Sequence, residues 1–437
     1  MEAGAAEPRA AGRRVAIVEG CRTPFARSNS VFKDLSAIDL GVIAVRELLH
    51  RADLEPDAVD HVVYGTVVHS VQAPNIAREV SLGAGIPHKA PAFSVSRACA
   101  SANQAITSAA EMIMSGQADV VVAGGAESLT DIPILVGRRL RDRLVAASKA
   151  KTLGQRVKAF AGFRPGELAP ITPAIAEPTT GKTMGESAED MAKENGISRE
   201  DQDAWALRSH RLALEGTRDG RLTAEIVRTF VPPAYEDVVT EDNGIREDTS
   251  MEALAKLRPV FDRKNGSVTA GNASPLTDGG SAILLMREDK AKALGYEPLG
   301  YVRSWAYAAL SPGDQLLQGP AYAVPDALDR AGMTMNDMEL WDLHEAFAAQ
   351  VLSNFQWLDS EKFAREELNR SQKVGLIDES LINVMGGSIA IGHPFGATGG
   401  RITTTILNEM KRRGLGVGLI SVCAAGALGF AMVVERD

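Results

Sequence analysis

Cysteine is scarce in this chain. Among its 437 residues there are three cysteines, Cys21, Cys99 and Cys423, and no CxxC pair. An odd, unclustered set of thiols excludes a disulfide framework and a zinc knuckle, and it is typical of a reducing compartment. Residues 1–14 are small, polar and charged and have no apolar segment of the kind that a secretory signal needs. We therefore expect a cytoplasmic protein.

Aromatic and basic residues are also few. Aromatic side chains make up 5% of the chain, and 47 basic against 56 acidic residues leave a net charge of −9. Both features argue against a nucleic-acid partner, which needs a basic surface and stacking rings. The seven histidines are scattered without a cluster of cysteines or carboxylates, so we expect no metal site. The chain also lacks a GxxxxGK[ST] phosphate loop.

No charge falls between Leu415 and Val434, a run of 20 residues that is long enough for a membrane helix. Four glycines interrupt the run, and the segments on either side of CAAGALG have the composition of β-strands. We interpret the run as two buried strands joined by a glycine-rich turn.

Helical and strand patterns alternate through much of the remaining chain. Buried strands are predicted at Val15–Glu19, His61–Val68 and residues 117–125, and an amphipathic helix at Asp39–His50. A second helix, rich in small residues and buried on every side, follows Cys99. This alternation predicts an α/β fold with a large core.

Residues 128–258 differ from this pattern because they are rich in charge and proline. Their helices have one polar face, which indicates an inserted helical loop domain on the surface of the core. Core strands are predicted to resume at Ser267–Ala270 and Ala282–Met286. We therefore expect an N-terminal half made of residues 1–127 and 259–290, and a C-terminal half made of residues 291–437.

Two internal echoes indicate that these halves are duplicates. Leu48–Gly65 resembles Ala327–Glu345, since each has a helix, an Arg-Ala turn, an aspartate and a strand. The regions of Cys99 and His393 form the second echo, because each has a small-residue turn that opens a helix and a buried strand after a glycine. Chance similarity of two helix–strand units is the alternative.

Cys99 is the first candidate for chemistry, because it lies where a strand ends and a helix begins. The N-terminal end of a helix stabilises a thiolate, so we expect a lowered pKa and a nucleophilic sulfur. His393 lies in GGSIAIGHPFGATGG, where the glycines and Pro394 predict a rigid loop holding a neutral imidazole as a base. The alternatives are a small buried hydrophobe for Cys99 and an incidental turn residue for His393.

His344 and Glu345 lie in WDLHEAFA, between a strand-like stretch and a helix. Strand ends of α/β sheets are where ligands bind, although an ordinary helix N-terminus explains the pair equally well. Cys423 also follows a buried strand and is either a core residue or a second reactive thiol, whereas we expect Cys21 to be structural. Two thiols and two imidazoles at strand ends of both halves predict a cysteine–histidine covalent catalyst.

These motifs resemble those of the thiolase family over roughly residues 14–437. They are CRTPF at Cys21, SRACAS at Cys99, GSVTAGNAS at Gly266–Ser274, DGG at Asp278–Gly280, HEAFA at His344, GHPFGATGGR at His393 and CAAG at Cys423. The resemblance implies a duplicated five-layered α-β-α-β-α fold, with the inserted domain over the coenzyme A (CoA) site. The HEAF and CAAG sequences, in place of Asn-Glu-Ala-Phe and Cys-x-Gly-Gly, resemble the branch that contains the β subunit of the fatty-acid trifunctional complex.

The resemblance also implies roles for the candidate residues. Cys99 would attack the 3-keto carbon of a 3-ketoacyl-CoA, His393 would take the thiol proton, and Cys423 would protonate the departing enolate. One oxyanion site would comprise His393 and a water held by His344. The other would use the backbone N–H groups of Cys99 and Ala425.

Further residues would orient or bind. Glu345 would orient the oxyanion donors, while Ser274 and Met184 would contact the substrate or CoA. Arg208 and Lys182 are candidates for contacts with the CoA phosphates, although no motif selects one of them.

The implied activity is that of a 3-ketoacyl-CoA thiolase in fatty-acid β-oxidation, with CoA as a substrate and no permanently bound cofactor. The alternative is a short-chain acetyl-CoA acetyltransferase. A catalytically silent acyl-CoA-binding relative should have lost Cys99, His393 or Cys423, and all three are present. The resemblance further implies a homodimer or homotetramer, with a hydratase–dehydrogenase α subunit as a candidate partner.

One segment outside the motifs has a further candidate role. Gly137–Phe163 is basic on balance and carries apolar residues at helical intervals. It could contact a membrane surface or a partner subunit, or it could be a solvated flap over the CoA site.

Overall fold

A computed structural model describes residues 14–171 and 176–437 of the chain. Its strands, in chain order, are β1 (Val15–Arg22), β2 (Ala26–Arg27), β3 (His61–Gly65), β4 (Ala92–Val95), β5 (Val120–Glu127), β6 (Leu135–Val136), β7 (Pro170–Ile171), β8 (Thr229–Phe230), β9 (Val238–Val239), β10 (Thr277–Arg287), β11 (Gly300–Ala309), β12 (Leu340–Leu343), β13 (Val417–Ala424) and β14 (Leu428–Glu435). In the described residues ten of these form one mixed sheet, and β6–β7 and β8–β9 are separate pairs.

The helices lie between these strands. In chain order they are α1 (Ala37–Arg51), α2 (Ile76–Gly83), α3 (Ser101–Ser115), α4 (Arg138–Lys149), α5 (Leu153–Ala159), α6 (Met184–Glu194), α7 (Arg199–Arg218), α8 (Met251–Ala255), α9 (Glu288–Ala293), α10 (Gly319–Ala331), α11 (Ala348–Leu358), α12 (Glu361–Glu366), α13 (Ser388–Ile391) and α14 (Thr398–Arg413).

The two ends of the sheet repeat one topology. At one end β3 pairs in parallel with β4 and β5, β5 runs antiparallel to β10, and β10 antiparallel to β1. At the other end β12 pairs in parallel with β13, β13 runs antiparallel to β14, and β14 antiparallel to β11. Strands β1 and β11 join the two ends through the pairs Ala16–Tyr301 and Ile17–Gly300. The predicted duplication is therefore confirmed.

Helices cover the outer faces of this sheet, and two further helices, α3 and α14, pack between its two ends. The central apolar core contains Ala109 of α3 and Ile406 of α14 with the inner faces of both sheet ends, including Val121 and Ile420. One outer core packs α1 and α2 against the first end, and the other packs α10 and α11 against the second. These layers alternate helix, sheet, helix, sheet and helix, as predicted.

Local sequence accounts for the ends of the helices in these layers. The Ser36 hydroxyl caps α1 by accepting a hydrogen bond from the backbone N–H of Asp39, whose carboxylate accepts one from the Ser36 N–H. Helices α3, α10 and α14 end at Gly116, Gly332 and Gly414, each in the left-handed region with φ of 77°, 69° and 68°. Glycine occupies that region without a steric cost, so the helices stop there.

Two sequence predictions of strands needed correction. Ser267–Ala270 is not a strand, because the N–H groups of Ser267 and Val268 donate to the Glu189 carboxylate instead of to a neighbouring strand. The strand predicted at His61–Val68 ends at Gly65, since the N–H groups of Val67 and Val68 turn to the Glu127 carboxylate. Both segments are loops held by a buried acid.

The uncharged run near the C terminus forms β13 and β14, as predicted. Among the described residues, no helix is long and apolar enough to cross a membrane. The predicted helices of Gly137–Phe163 are present as α4 and α5, and their apolar residues Leu153 and Val157 are 77% and 67% exposed.

Candidate active site

Cys99 lies in a tight turn immediately before α3. The residue before it, Ala98, has φ of 44°, an uncommon backbone conformation for a residue with a side chain. The Ser101 hydroxyl fixes the turn by donating to the Ala98 carbonyl at 2.6 Å and accepting from the Arg97 N–H at 2.9 Å. Cys99 is also the only partly exposed cysteine of the three, since Cys21 and Cys423 are buried.

His393 is held in the glycine-rich loop between α13 and α14. Its N–H donates to the Thr277 hydroxyl at 3.0 Å, and its ring Nδ1 lies 2.6 Å from the Thr398 hydroxyl. The Thr398 hydroxyl has one proton, which it donates to the Pro394 carbonyl at 3.1 Å. With that proton donated to the Pro394 carbonyl, the Thr398 hydroxyl accepts from Nδ1–H, and Nε2 of His393 is left as an unprotonated lone pair.

His344 follows β12 and faces His393. The two imidazole rings are 4.1 Å apart between centroids, and a ring nitrogen of each lies within 4.8 Å of the Cys99 sulfur and of the other. Nδ1 of His344 contacts the Ser388 hydroxyl at 2.9 Å. In both rings Nε2 is buried without a hydrogen-bond partner, so it is the nitrogen available to a substrate.

The thiol of Cys99 does not have the lowered pKa that its position before α3 predicts. Burial raises its pKa to about 12, although the backbone N–H groups of Ala425 and of Cys99 itself act in the opposite direction. That expectation was wrong because desolvation of the sulfur outweighs the helix terminus. At neutral pH the thiol is therefore protonated and needs a base.

Both histidines are neutral at the same pH. Burial and the positive charge of Arg401 lower the pKa of His393 to about 3. Burial lowers the pKa of His344 well below its usual value, and His393 and Arg401 lower it further. A neutral imidazole keeps one nitrogen lone pair that can accept a proton, which an imidazolium lacks.

Cys423 is fully buried near the end of β13 and lies close to Cys99 in space, although the two cysteines are far apart in sequence. Burial raises the pKa of its thiol, and the nearby Cys99 raises it further. The next turn brings the Ala425 N–H to the Cys99 sulfur. Cys99, His344, His393 and Cys423, the four residues proposed from sequence as catalytic, thus converge on one place.

Comparison with known proteins agrees with this geometry. The family model described as "Thiolase, N-terminal domain" matches residues 15–289, and "Thiolase, C-terminal domain" matches residues 296–436. The chain belongs to the thiolase family.

Relatives are similar along the whole length. A protein named 3-ketoacyl-CoA thiolase from Yersinia enterocolitica is 53% identical over 426 residues, which cover 98% of each chain, and one from Yersinia pestis is 52% identical over the same share. Among solved structures, the Bacillus anthracis acetyl-CoA acetyltransferase matches with a TM-score of 0.83 at 32% identity, and human mitochondrial 3-ketoacyl-CoA thiolase with 0.82 at 31%. Both alignments cover 97% of this chain and 99% of the other.

Glu345 of this thiolase is buried at the centre of a hydrogen-bond network. One carboxylate oxygen accepts from the Trp205 indole at 3.0 Å and the Asn383 amide at 2.8 Å, and the other accepts from the Ser209 hydroxyl at 2.7 Å. The loop before His393 is close as well, since a Cβ added to Gly387 would lie 2.3 Å from the Glu345 carboxyl carbon. Glu345 therefore ties the HEAF loop to α7 and to the glycine-rich loop.

Trp205 and Ser209 were missed by the sequence analysis. They lie on α7, in the segment interpreted as a surface insertion, but both are buried against the site. A tryptophan in an otherwise polar helix was the available signal.

Glu127 is a second residue that was missed. Its carboxylate accepts from the N–H groups of Val67, Val68 and Gly396, and burial raises its pKa to about 7. It thereby connects the loop after β3 to the loop that holds His393. A charged residue that ends an eight-residue buried strand was the signal in the sequence.

The predicted substrate-binding residues lie beside the catalytic group. The Ser274 N–H donates to the Ala346 carbonyl of the HEAF loop at 2.9 Å, and Ser274 is half-buried. Met184, the first residue of α6, packs with Phe347 on the small apolar cluster that contains Cys423.

Of the two candidate phosphate contacts, Arg208 is already occupied. Its guanidinium donates to the carbonyl oxygens of Glu379 and Ile382 and stacks over the Trp205 ring at 5.0 Å. The structure therefore argues against Arg208, whereas Lys182 is exposed and pairs with Asp190 at 2.7 Å.

Cys99, His344 and His393 carry atoms of the kind that bind soft metal ions, a convergence that the scattered histidines did not predict. Among the described residues this is the one group of three such side chains. The neutral imidazoles, the protonated thiol and the backbone donors also suit acid–base and nucleophilic chemistry.

Proposed function

We propose that the chain is a 3-ketoacyl-CoA thiolase, which cleaves 3-ketoacyl-CoA with CoA to acetyl-CoA and a shortened acyl-CoA. The observation that carries this proposal is the convergence of a protonated Cys99 thiol with the unprotonated Nε2 of His393 and the buried thiol of Cys423. The 53% identity to a protein of that name supports it. Fatty-acid β-oxidation in a reducing compartment is the matching cellular role.

The first half of the reaction makes an acyl-enzyme. Nε2 of His393 takes the Cys99 proton, and the sulfur attacks the 3-keto carbon to give a tetrahedral oxyanion. Collapse of this intermediate breaks the bond between C2 and C3 and leaves a thioester on Cys99 and the enolate of acetyl-CoA. Cys423 then donates its proton to C2 of the enolate, which releases acetyl-CoA.

The second half returns every proton. The Cys423 thiolate takes the proton of the incoming CoA thiol, and the CoA sulfur attacks the thioester. When this second tetrahedral intermediate collapses, the Cys99 sulfur leaves and recovers its proton from His393. The low pKa of His393 favours this return, because its imidazolium is a strong acid in the buried site.

Preorganised donors stabilise the negative oxygens of both halves. The backbone N–H groups of Cys99 and Ala425 already point toward the Cys99 sulfur. The thioester oxygen of the acyl-enzyme would lie next to that sulfur, within reach of the same donors. His393, once protonated, and His344 with a water form the second set for the 3-keto oxygen and the enolate. Glu345 holds the loops that carry these groups.

CoA is a substrate in this scheme, and no permanently bound cofactor is needed. We propose that Ser274 contacts its pantetheine arm and that Met184 lines the path of the acyl chain, since both lie beside the HEAF loop. We further propose residues 128–258 as a loop domain over this site, between a half of residues 1–127 with 259–290 and a half of residues 291–437.

A short-chain acetyl-CoA acetyltransferase is the second candidate. Its support is the structural match to the Bacillus anthracis acetyl-CoA acetyltransferase. Both candidates use the same residues and differ in the acyl chain that the site accepts.

Assembly is a separate part of the proposal. A homodimer or homotetramer, with a hydratase–dehydrogenase α subunit as a further partner, accords with the HEAF and CAAG sequences. The exposed apolar side chains of α4 and α5, beside Arg138, Arg139 and Arg141, support contact with a partner or a membrane surface. Unchanged liposome and partner binding after charge reversal of these three arginines would leave the solvated flap as the interpretation.

The deciding experiment is CoA-dependent thiolysis of 3-ketoacyl-CoA substrates from short to long chains, with Cys99→Ala as the blank. Activity on long chains that is lost in the blank supports the 3-ketoacyl-CoA thiolase. Activity confined to acetoacetyl-CoA supports the acetyltransferase. No activity of the folded chain on any length would overturn both for the isolated protein.

A further inference from the structure

Two imidazoles in van der Waals contact present a problem of hydrogen placement. The rings of His344 and His393 are 4.1 Å apart, both are neutral, and each has an Nε2 without a partner. A neutral imidazole carries its proton on one nitrogen only, and the other nitrogen's partner decides which. For His393 the partner is Thr398, which makes Nε2 a base.

For His344 the partner is Ser388, and a hydrogen bond from Arg401 determines which way the Ser388 hydroxyl proton points. The Ser388 hydroxyl lies 2.9 Å from Nδ1 of His344 and 3.2 Å from Nη2 of Arg401. A guanidinium can only donate, so the Ser388 oxygen accepts from Arg401. The single hydroxyl proton is then free to be donated, and Nδ1 of His344 is the acceptor within reach.

Arg401 is in turn fixed by Asp342. Its Nη1 lies 3.3 Å from the Asp342 carboxylate, and both side chains are buried. Asp342 belongs to β12 and Ser388 to α13, so the relay from Asp342 through Arg401 and Ser388 to His344 connects three elements.

We propose that Ser388, held by Arg401 and Asp342, is a positioning residue that fixes His344 as the Nε2–H tautomer. The site then presents a donor at His344 and an acceptor at His393 side by side. This arrangement explains how one histidine serves as the base for Cys99 while its neighbour gives a hydrogen bond to the substrate oxygen or to a water. With the opposite tautomer, His344 would turn a lone pair toward a developing negative charge.

The test combines nitrogen-15 NMR of histidine-labelled protein with kinetics. Long-range proton–nitrogen correlations distinguish the two tautomers, and the signals of His344 are assigned by their loss in His344→Gln. The wild-type protein should show Nε2–H for His344 and Nδ1–H for His393. Nδ1–H at His344 in the wild type overturns the proposal, and this measurement needs no variant of Ser388 to fold.

Ser388→Ala tests the relay directly. We expect the tautomer preference of His344 to weaken, that of His393 to persist, and kcat to fall by about 10- to 100-fold with KM unchanged, as for other residues that orient a catalytic group. Ser388→Thr, which keeps a hydroxyl, should recover both. Ser81→Ala is the matched control, because the Ser81 hydroxyl is buried without a partner on α2.

The outcomes separate the alternatives. A lower melting temperature with an unchanged His344 tautomer and unchanged kcat assigns Ser388 a structural role only, and overturns the proposal. The kinetic measurement rests on the proposed function, whereas the NMR measurement does not. A protein with the expected tautomers but without thiolase activity would refute the function and leave the tautomer assignment standing.

Discussion

The two ends of the sheet have the same order of elements, yet they contribute different chemistry. At the turn before α3 the first end places Cys99, the proposed nucleophile, and at the equivalent turn before α14 the second places His393, the proposed base. The end of β5 carries Glu127, whose carboxylate holds two loops together, and β13 carries Cys423, the proposed proton donor. Duplication thus supplied matching positions around one centre, and the side chains at those positions diverged into complementary roles.

The two ends of the sheet would therefore serve different steps of the proposed reaction. In the proposed mechanism the first end holds the sulfur that bonds to the substrate, and the second holds the groups that transfer protons. Substitutions in the first end should therefore abolish the covalent intermediate, and substitutions in the second should slow steps around it.

The largest effect is expected for Cys99→Ala. Loss of the nucleophile should lower the rate of thiolysis by roughly 10⁴-fold or more, because no second group can form the thioester. Intact-protein mass spectrometry after reaction with acyl-CoA should show no adduct in the variant and one acyl group in the wild type. An adduct on Cys423 in the variant would break the division of roles.

His393→Gln should come next. Since the pKa of Cys99 is about 12, the thiol needs the Nε2 base, and its removal should lower kcat by about 10²- to 10⁴-fold. Alkylation of Cys99 by iodoacetamide should slow in parallel, measured by peptide mapping. His61→Gln is the control, because His61 lies outside the site at the start of β3. Equal alkylation rates in wild type and variant would contradict the assigned base.

Cys423→Ala should separate the proton transfer assigned to Cys423 from the one assigned to His393. We expect kcat to fall by about 10²-fold or more, because the acetyl-CoA enolate loses its proton donor. Exchange of the methyl protons of acetyl-CoA with deuterated water should disappear, while acylation of Cys99 by acyl-CoA persists. Continued exchange would show that the proton comes from elsewhere.

Glu345→Gln should lower the free energy of unfolding and disturb the loops that carry the site. The new amide would place N–H groups against the donors of Trp205, Asn383 or Ser209, which costs about 1–3 kcal/mol for an unsatisfied buried group. Urea denaturation measures this loss, and Glu47→Gln, at a partly exposed ion pair with Arg51, should cost less than about 1 kcal/mol. Equal losses of stability in both variants would contradict the view that the hydrogen bonds of Glu345 support the site.

The smallest effect is expected for Cys21→Ala. The Cys21 thiol is buried and donates to the Ala44 carbonyl at 3.3 Å, outside the catalytic group. Its removal should cost about 1 kcal/mol of stability and leave kcat unchanged. A fall in kcat as large as that of Cys423→Ala would refute the structural role assigned to this thiol.

Much of the site could be predicted because its residues lie at recognisable ends of elements. Cys99, His344, His393 and Cys423 each follow a strand or precede a helix, and the motifs around them carry the family resemblance. Residues that support them are different. Trp205 lies 140 residues from Glu345 in sequence, and no local pattern links the two.

The wrong predictions also result from contacts between segments that are distant in sequence. Ser267–Ala270 has a sequence compatible with a strand, but the carboxylate of Glu189 on α6 takes its backbone donors. The expected low pKa of Cys99 considered only the helix that follows it, whereas burial by the rest of the fold dominates.

Sequence alone was enough to predict the alternation of the main core strands and helices, the duplication and the candidate reactive side chains, because periodicity, caps and motifs act over a few residues. The tertiary structure decided the protonation of Cys99, the contact between His344 and His393, and the partners that orient them. Those properties depend on desolvation and on hydrogen bonds between distant segments, which exist only once the chain has packed.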